Sequence, residues 1–203
     1  MTAGVRFSAL GPLRLWSGGR EIALGSPQQQ ALLAALLLAE GRPVPPGELI
    51  RAIWGDEPPR SALGTARTYI SRLRRLLAGL SADIVTVGDS YAFTGDGVTA
   101  DVWELRAAVG RAQASLRAGD PVAAVSTLDG ALPDPAGVPL GDPAGLPLAG
   151  MPGAWAEGQR VRLAELRDSA VELRLTARLE SGEPSAEDVA ELTRIVRAHP
   201  LRE

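Results

Sequence analysis

The chain opens with short segments that alternate between apolar and polar positions. These segments are residues 5–10 (VRFSAL), 13–16 (LRLW) and 20–24 (REIAL). Gly11-Pro12 separates the first two, and Ser17-Gly18-Gly19 separates the last two. Short alternating runs between turn-forming residues are typical of β-strands. The pattern predicts a small antiparallel meander.

Two helices are predicted next, each from a recognisable start signal. Ser26-Pro27-Gln28-Gln29 combines an N-cap serine, a proline at the first helical position and a capping-box glutamine. The apolar run that follows continues to about Glu40. Pro45-Pro46 restarts the chain, and residues 47–54 (GELIRAIW) predict a second helix that ends before Pro58-Pro59.

A third helix is predicted after Ser61, its expected N-cap, from the spacing of the apolar residues. At about 100° per residue, steps of three and four positions place these residues on one buried stripe. The stripe consists of Leu63, Ala66, Ile70, Leu73, Leu77 and Leu80. The opposite side, which we call the polar face, carries Thr65, Thr68, Arg72 and Arg75, and one flank carries Arg67, Ser71 and Arg74.

A β-hairpin is predicted directly after the third helix. Residues 84–87 (IVTV) and 91–94 (YAFT) are β-prone and flank Gly88-Asp89-Ser90. Three helices followed by a hairpin are typical of a winged helix-turn-helix, a DNA-binding fold whose third helix enters the major groove. The sequence therefore predicts a DNA-binding domain in the amino-terminal half.

The carboxyl-terminal half has helical patterns only. Asp101 and Glu104 form a capping-box pattern for one helix, and Gly119-Asp120-Pro121 ends that helix and begins another. Two short helices joined by a tight turn form an αα-hairpin. The remaining predicted segments are a proline- and glycine-rich loop at 133–153 and helices at 154–181 and 185–198.

Charge divides the chain at about its middle. Residues 1–100 contain 10 arginines and 8 acidic residues, whereas residues 101–203 contain 11 arginines and 16 acidic residues. The formal net charge of the whole chain is −3. Halves of different charge and pattern favour two domains, which we expect at 1–96 and 97–203.

Three features indicate the compartment. The chain contains no cysteine, so disulfides and thiolate metal sites are excluded and a reducing environment is compatible. Residues 1–6 lack the pattern of a signal peptide, and the longest apolar run, 31–39, is far shorter than the ~20 residues that span a bilayer. We expect a soluble, cytoplasmic protein without a membrane partner.

The order of these elements resembles a known family of regulators. The stretches "SPQQQALLAALLLAEGR", "PGELIRAIWGDEPP", "ALGTARTYISRLRRLL" and "IVTVGDSYAF" resemble the OmpR-type DNA-binding domain of the Streptomyces antibiotic regulatory protein family. The later stretches "ADVWELRAAVGRAQASLRAGDPVAAVSTLDGAL" and "AWAEGQRVRLAELRDSAVELRLTARLESG" resemble the bacterial transcriptional activation domain that follows it there.

The resemblance implies a mainly α fold with a small β component. An OmpR-type winged helix-turn-helix would occupy 1–96, and an all-α TPR-like activation domain would occupy 97–203. The family continues with more helices after the point where this sequence stops, just beyond His199-Pro200. We therefore expect the chain to be part of a longer regulator with an incomplete second domain.

The resemblance also implies which residues meet DNA and polymerase. Base reading is expected from Thr68 and Arg72, on the polar face. Backbone contacts are expected from Thr65, Arg67, Tyr69, Ser71, Arg74 and Arg75. The wing residues are Asp89 and Ser90, where an aspartate departs from the arginine that such wings usually offer to the minor groove. Polymerase contacts are expected from Asp56, Glu57 and Arg60, in the loop after the second helix.

The implied activity is that of a sequence-specific, nucleoid-associated transcriptional activator. It would bind direct repeats near the −35 element as side-by-side protomers and recruit RNA polymerase through the sigma factor's carboxyl region and neighbouring subunits. Antibiotic biosynthesis genes would be typical targets. No cofactor, metal or catalytic residue is implied.

Several of these patterns also have other interpretations. The arginines of the third helix could form only a solvated helix face, which is the commonest meaning of a run of charges. The alternative to a transcriptional activator is a helical adaptor that acts mainly through protein–protein contacts. The segment Gly95-Asp96-Gly97-Val98-Thr99-Ala100 fits the dinucleotide-binding fingerprint. In a dinucleotide-binding fold, the helix after this fingerprint is followed by a second parallel strand, whereas here it is followed by another helical segment. Residues 88–92 resemble a nucleophile elbow, but such an elbow joins a strand to a helix, and these residues join two predicted strands. A Walker A loop is excluded, because it needs a lysine and this chain has none. The tryptophans Trp16, Trp54, Trp103 and Trp155 are expected in the core.

Overall fold

The structure is a computed structural model that describes residues 4–132 and 145–182. The chain divides into two compact units. Among the described residues, the first unit contains 4–103 and 145–163, and the second contains 104–132 and 164–182. The fold is mainly helical with a small β component, as the sequence predicted.

A four-stranded sheet lies in the first unit. The strands β1 (Val5–Ser8), β2 (Arg14–Ser17) and β3 (Arg20–Ile22) form the predicted antiparallel meander. A later strand, β6 (Val98–Ala100), pairs parallel with β1 and completes the order β3-β2-β1-β6. Strand β6 is not predictable from the sequence pattern, because three residues carry too little pattern to show a strand whose partner is so distant along the chain.

Three helices follow the meander: α1 (Pro27–Leu38), α2 (Pro46–Trp54) and α3 (Ala62–Leu77). The capping box predicted at Ser26 and Gln29 is present, with both side chains engaged. The side-chain cap predicted at Ser61 is wrong, because its hydroxyl makes no cap hydrogen bond to the helix. Only its backbone carbonyl accepts, from the Thr65 N–H at 3.0 Å.

Helix α1 is the centre of the helical core. Its leucines at 32, 33, 36 and 37 are almost inaccessible to water, on more than one side of the helix. Burying a leucine side chain of this size contributes roughly 1.5–3 kcal/mol. Helices α2 and α3 both pack against α1, so α3 is held by its apolar side and keeps its other side free.

The buried stripe of α3 is rotated slightly from its predicted position. Ala66, Ile70, Leu73 and Leu77 are buried as predicted, and Ala62 replaces Leu63 at the helix start. The prediction for Leu63 is wrong, because this side chain is 41% exposed. Spacing alone could not separate the two residues, since at about 100° per residue each lies roughly 50° from the stripe's axis, on opposite sides. Leu80 lies beyond the end of the helix.

The wing is a hairpin of two strands, β4 (Ala82–Val87) and β5 (Ser90–Gly95). Val87 pairs with Ser90, so the loop is the two residues Gly88 and Asp89, one fewer than expected. Gly88 has φ of 57°, a value that hairpin turns of this length require at their first central position. The linker between α1 and α2 adds a bridge to this hairpin, because Val44 and Tyr91 exchange backbone hydrogen bonds of 2.7 and 3.0 Å.

The segment after the wing is tied to the amino-terminal strands. The Asp101 carboxylate accepts hydrogen bonds from the Ser8 hydroxyl at 2.7 Å and from the Ala9 and Leu10 N–H groups at 2.8 and 3.1 Å. It also accepts from the adjacent Val102 N–H, in place of the predicted capping box with Glu104. These contacts connect the start of α4 (Asp101–Arg117) to the end of β1.

Residues 145–163 also belong to the first unit. The Leu148 N–H donates to the Ala9 carbonyl at 3.2 Å, and the Leu148 side chain is fully buried. The Arg160 guanidinium donates to the Leu148 and Met151 carbonyls at 3.3 and 3.0 Å and pairs with Glu157. A segment far along the chain is therefore built into the unit that carries α3.

The described part of the second unit is helical. Helix α5 (Pro121–Asp129) begins at the predicted cap, where the Asp120 side chain accepts from the Ala123 N–H. Helix α6 (Ala154–Ser181) matches its predicted bounds. Asp129 accepts from Arg174 at 3.3 Å and from Arg178 at 3.1 Å, which joins α5 to α6. The predicted helix at 185–198 and most of the loop at 133–153 lie outside the described residues.

The tryptophans are only half-buried, so their expected place in the core is wrong in each case. Trp54 stacks on Tyr69, with ring centroids 6.4 Å apart and planes 20° from parallel. The Trp103 indole N–H donates to the Leu37 carbonyl at 2.9 Å, and its ring lies 6.1 Å from Phe93. An indole that has to donate a hydrogen bond sits most easily at the margin of a core.

Two absences hold for residues 4–132 and 145–182. Within these ranges no helix has the length and apolar character needed to cross a membrane. The same residues contain no group of histidine, cysteine or acidic side chains able to hold a metal ion.

Candidate nucleic-acid interface

The polar face of α3 projects away from the helical core. Thr68, Arg72 and Arg75 are exposed, and Thr65 is half-buried at the edge. On the flank, Arg67 and Ser71 are also exposed. The buried stripe holds the other side of the helix against α1 and α2, so these side chains are presented together along one surface.

The charge of α3 is entirely positive. Residues 62–77 contain four arginines and no acidic residue. Arg67, Arg72 and Arg75 make no hydrogen bond or ion pair within the described parts of the chain. Guanidinium groups that are exposed and unneutralised can bind phosphates or the O6 and N7 atoms of guanine. The polar face thus has the chemistry that a major groove requires.

The Thr68 hydroxyl is already committed as a donor. Its Oγ1 donates to the Gly64 carbonyl one turn earlier, at 3.0 Å. A hydroxyl has one hydrogen and two lone pairs, so Thr68 retains only acceptor capacity and its methyl group for a partner. A thymine methyl or a base amino group would suit such a side chain, whereas a guanine acceptor would not.

Tyr69 has a different environment from the other candidates. It is half-buried and its ring stacks on Trp54 of α2. The stack fixes the side chain between two helices of the helix-turn-helix. A phosphate contact by Tyr69 stays a prediction, and the contact that the structure shows is the stack on Trp54.

Arg74 also has partners within the protein. Its Nε donates to the Ile84 carbonyl at 2.6 Å, and its Nη2 donates to the Thr86 hydroxyl at 2.9 Å. The guanidinium carbon lies 5.9 Å from the centre of the Tyr91 ring. These contacts connect the last turn of α3 to both strands of the wing.

The wing tip offers no positive side chain. The hairpin 82–95 contains no arginine, and Asp89 is exposed at its turn. Ser90 is half-buried, and Val87 on the opposite strand is 46% exposed. An aspartate at this position repels phosphate, so a contact between this tip and DNA would depend on backbone N–H groups and Ser90.

The loop between α2 and α3 is exposed from Asp56 to Ser61. Asp56, Glu57 and Arg60 lie in this loop with Pro58 and Pro59 between them. Gly55 ends α2 with φ of 67°, a value that favours glycine. The three candidate polymerase residues therefore lie on one short surface loop that precedes α3.

The glycine pattern at 95–100 has a packing explanation. A Cβ atom at Gly95 would collide with the Val98 side chain and would lie 2.6 Å from the Ser81 carbonyl oxygen. Gly95 is therefore required where β5 turns into β6, independently of any ligand. The pattern is part of a strand-to-strand corner, as its rejection as a dinucleotide site anticipated.

Two family comparisons match this arrangement. Residues 19–92 match the family described as "Transcriptional regulatory protein, C terminal", and residues 100–203 match "Bacterial transcriptional activator domain". The second match covers about half of the chain. The chain belongs to the bacterial transcriptional activator domain family. Together with the relatives below, the two domains identify a regulator of the Streptomyces antibiotic regulatory protein type.

Curated relatives support the assignment. The chain is 45% identical over 203 residues to the regulatory protein AfsR of Streptomyces coelicolor, which covers 100% of this chain and 19% of that relative. The transcriptional regulatory protein MoaR1 of Mycobacterium tuberculosis is 46% identical over 83 residues, or 40% of this chain and 27% of the relative. The chain thus spans about a fifth of the AfsR length.

A solved structure has the same fold. The Mycobacterium tuberculosis protein EmbR, in complex with a low-affinity phosphopeptide, matches with a TM-score of 0.83 at 27% sequence identity. The match covers 98% of this chain and 52% of that one. The combination of strands, three helices, wing and helical domain is therefore shared by a relative.

Proposed function

We propose that this chain is a sequence-specific DNA-binding transcriptional activator whose reading surface is the polar face of α3. The observation that carries the proposal is the exposed row of Thr68, Arg72 and Arg75 on a helix without acidic residues. The match of residues 19–92 to a transcriptional regulatory domain supports it. The net charge of −3 does not oppose it, since DNA meets one face and not the average charge.

Two roles are distinguished within this surface. Thr68 and Arg72 are the proposed base-reading residues, because they lie in the middle of the polar face. Thr65, Arg67, Ser71 and Arg75 are the proposed phosphate contacts, which position the protein without reading sequence.

The test compares Arg72→Ala with Arg75→Ala in the full chain. Arg72→Ala should reduce the discrimination between cognate and scrambled duplexes by about 1–3 kcal/mol, because it removes a bidentate base contact. Arg75→Ala should weaken binding to both duplexes about equally and reduce the slope of log K against log salt by about 0.9. Both affinities are titrated at several salt concentrations.

Arg51→Ala is a matched control, since Arg51 is an exposed arginine on α2. It should leave the discrimination unchanged. If Arg72→Ala weakens binding to both duplexes equally, Arg72 does not read bases. If the wild-type chain does not discriminate between the duplexes at all, the proposed function is wrong.

Activation is proposed to need a second surface, the exposed loop with Asp56, Glu57 and Arg60. We infer that this loop contacts RNA polymerase, through the sigma factor's carboxyl region and neighbouring subunits, while side-by-side protomers occupy direct repeats near the −35 element. The exposure of the loop from Asp56 to Ser61 supports this proposal. We also propose, from the type of regulator to which the chain belongs, antibiotic biosynthesis genes as targets and a nucleoid-associated protein in the cytoplasm.

The second test uses the double variant Asp56→Ala/Glu57→Ala. It should bind promoter DNA as the wild type does but stimulate transcription less in a reconstituted assay with polymerase. Glu48→Ala, an exposed acidic residue in the first turn of α2, is the control. Equal activation by the double variant and the wild type would remove the loop from the polymerase contact.

A further inference from the structure

Arg74 is the only arginine of α3 with hydrogen bonds to another element of the described structure. Two of its nitrogen atoms donate to strand β4, to the Ile84 carbonyl and the Thr86 hydroxyl. The geometry uses the fork of the guanidinium group, since separate nitrogens reach acceptors two residues apart. The hydrogen bonds of a charged donor are stronger than those of a neutral one.

The same side chain also reaches strand β5. Its guanidinium carbon lies 5.9 Å from the Tyr91 ring, within the range of a cation–π contact. Tyr91 is paired with Thr86 across the hairpin, so Arg74 contacts both members of one cross-strand pair. Tyr91 in turn exchanges two backbone hydrogen bonds with Val44, in the linker between α1 and α2.

A two-stranded hairpin has little of its own to fix its angle to a neighbouring helix. Here the chain turns from α3 into β4 through a short connection, and Arg74 spans that corner. We propose that Arg74 is a positioning residue that holds the wing at a fixed angle to α3, so that wing and polar face meet DNA as one surface. It thereby acts through the wing and is not a phosphate contact; the DNA part of this proposal rests on the proposed function.

The test uses Arg74→Ala, Arg74→Lys and Thr86→Val in the full chain. Lysine keeps the charge and its favourable position at the helix C-terminus but loses the fork. Amide hydrogen exchange of residues 82–95 is measured without DNA. In both Arg74 variants these amides should exchange about tenfold faster than in the wild type, or more. Thr86→Val should cause a smaller increase in the exchange rate, because it removes only one of the two hydrogen bonds. Arg75→Ala is the control, because it removes an arginine from the same turn without touching the wing.

DNA binding gives the second readout. Both Arg74 variants should bind cognate DNA several-fold more weakly with a salt slope unchanged from wild type, whereas a lost phosphate contact reduces the slope by about 0.9. A reduced slope for Arg74→Ala together with full rescue by lysine would overturn the proposal, as would unchanged exchange in the wing. The exchange measurement contains no DNA, so it separates failure of the positioning role from failure of the proposed function.

Discussion

Nothing within the protein explains why residue 64 of α3 is a glycine. It is exposed on the polar face, one turn before Thr68, and its carbonyl accepts the Thr68 hydroxyl. A Cβ atom built at this position would meet nothing within 4 Å, and the backbone φ is not positive. A glycine inside a helix costs about 0.5–1 kcal/mol relative to alanine. Close approach of the helix backbone to DNA would explain why it is tolerated.

Gly64→Ala is therefore expected to change stability and binding in opposite directions. The melting temperature should rise slightly, because alanine has the higher helix propensity and no clash. Affinity for cognate DNA should fall, because the added methyl group separates α3 from the groove. Thermal melts and duplex titrations measure the two effects.

Gly110→Ala is the matched control for this experiment. Gly110 is an exposed helical glycine in α4, and a Cβ atom there would also meet nothing within 4 Å. It should stabilise its helix and leave DNA binding unchanged. If Gly64→Ala binds DNA as well as Gly110→Ala does, the DNA does not approach α3 at Gly64.

For single residues, the sequence could predict which side chains of α3 are exposed, but not which residues they contact in other elements. The exposure of Thr68, Arg72 and Arg75 followed from the 3.6-residue period of the stripe. The contacts of Arg74 and Tyr69 did not, because each depends on a second element whose position relative to α3 is set by tertiary packing. Gly64 could have been singled out, since a glycine on the outer face of a predicted helix lacks a structural reason.

Helices and strands were predictable wherever a local signal marked their ends. Helix α1 begins at a complete capping box, and α6 extends over the predicted residues. Strand β6 escaped prediction because its only evidence is a parallel pairing with β1, and such pairing leaves no mark in three residues. The parts that local sequence could not predict are those defined by contacts between distant segments.

The orientation of α3 can be tested with a pair of leucines. Leu73→Ala should lower the free energy of unfolding by about 2–5 kcal/mol, because Leu73 is fully buried and its loss leaves a cavity. Leu63→Ala should cost much less, because Leu63 is 41% exposed. Denaturant unfolding of both variants gives the two values. Equal costs would mean that α3 is rotated from the orientation described.

DNA binding by the same pair separates folding from contact. Leu73→Ala should lose DNA binding only at temperatures where the unit is partly unfolded, since the residue faces α1 and not the polar face. Loss of affinity by fully folded Leu73→Ala protein would indicate that packing beneath α3 tunes the reading surface directly.

On the scale of the whole molecule, the unit that carries α3 is not one continuous stretch. It includes β6, which pairs with β1. It also includes Asp101, whose carboxylate accepts three hydrogen bonds from residues 8–10, and Trp103, whose indole N–H donates to α1. Residues 145–163 belong to it as well. The boundary expected at residue 96 came from the end of the wing pattern, and these contacts favour an amino-terminal unit that extends at least to Trp103.

Fragments ending at Gly97 and at Trp103 test this extension. Both lack residues 145–163, so they differ only in residues 98–103, which comprise β6, Asp101, Val102 and Trp103. The shorter fragment should be less stable by several kcal/mol, since it loses a strand pairing and a carboxylate that satisfies several donors at about 1.5–3 kcal/mol per charged hydrogen bond. That loss is a large fraction of the ~5–15 kcal/mol available to a domain. Circular dichroism melts compare the two, and equal melting temperatures would place 98–103 outside the folding unit.

The Trp103 fragment also separates DNA recognition from activation. It retains the polar face, the wing and the loop with Asp56 and Glu57, but lacks the residues matched to the bacterial transcriptional activator domain apart from the first few. It should discriminate cognate from scrambled duplexes, more weakly than the full chain because residues 145–163 no longer support β1. In a reconstituted transcription assay at saturating DNA occupancy it should fail to stimulate. The full chain with Arg72→Ala is the reciprocal control, because it keeps the helical half and loses reading. If the Trp103 fragment activates as well as the full chain at equal occupancy, activation resides in the winged-helix unit and its exposed loop, and the helical half has another role.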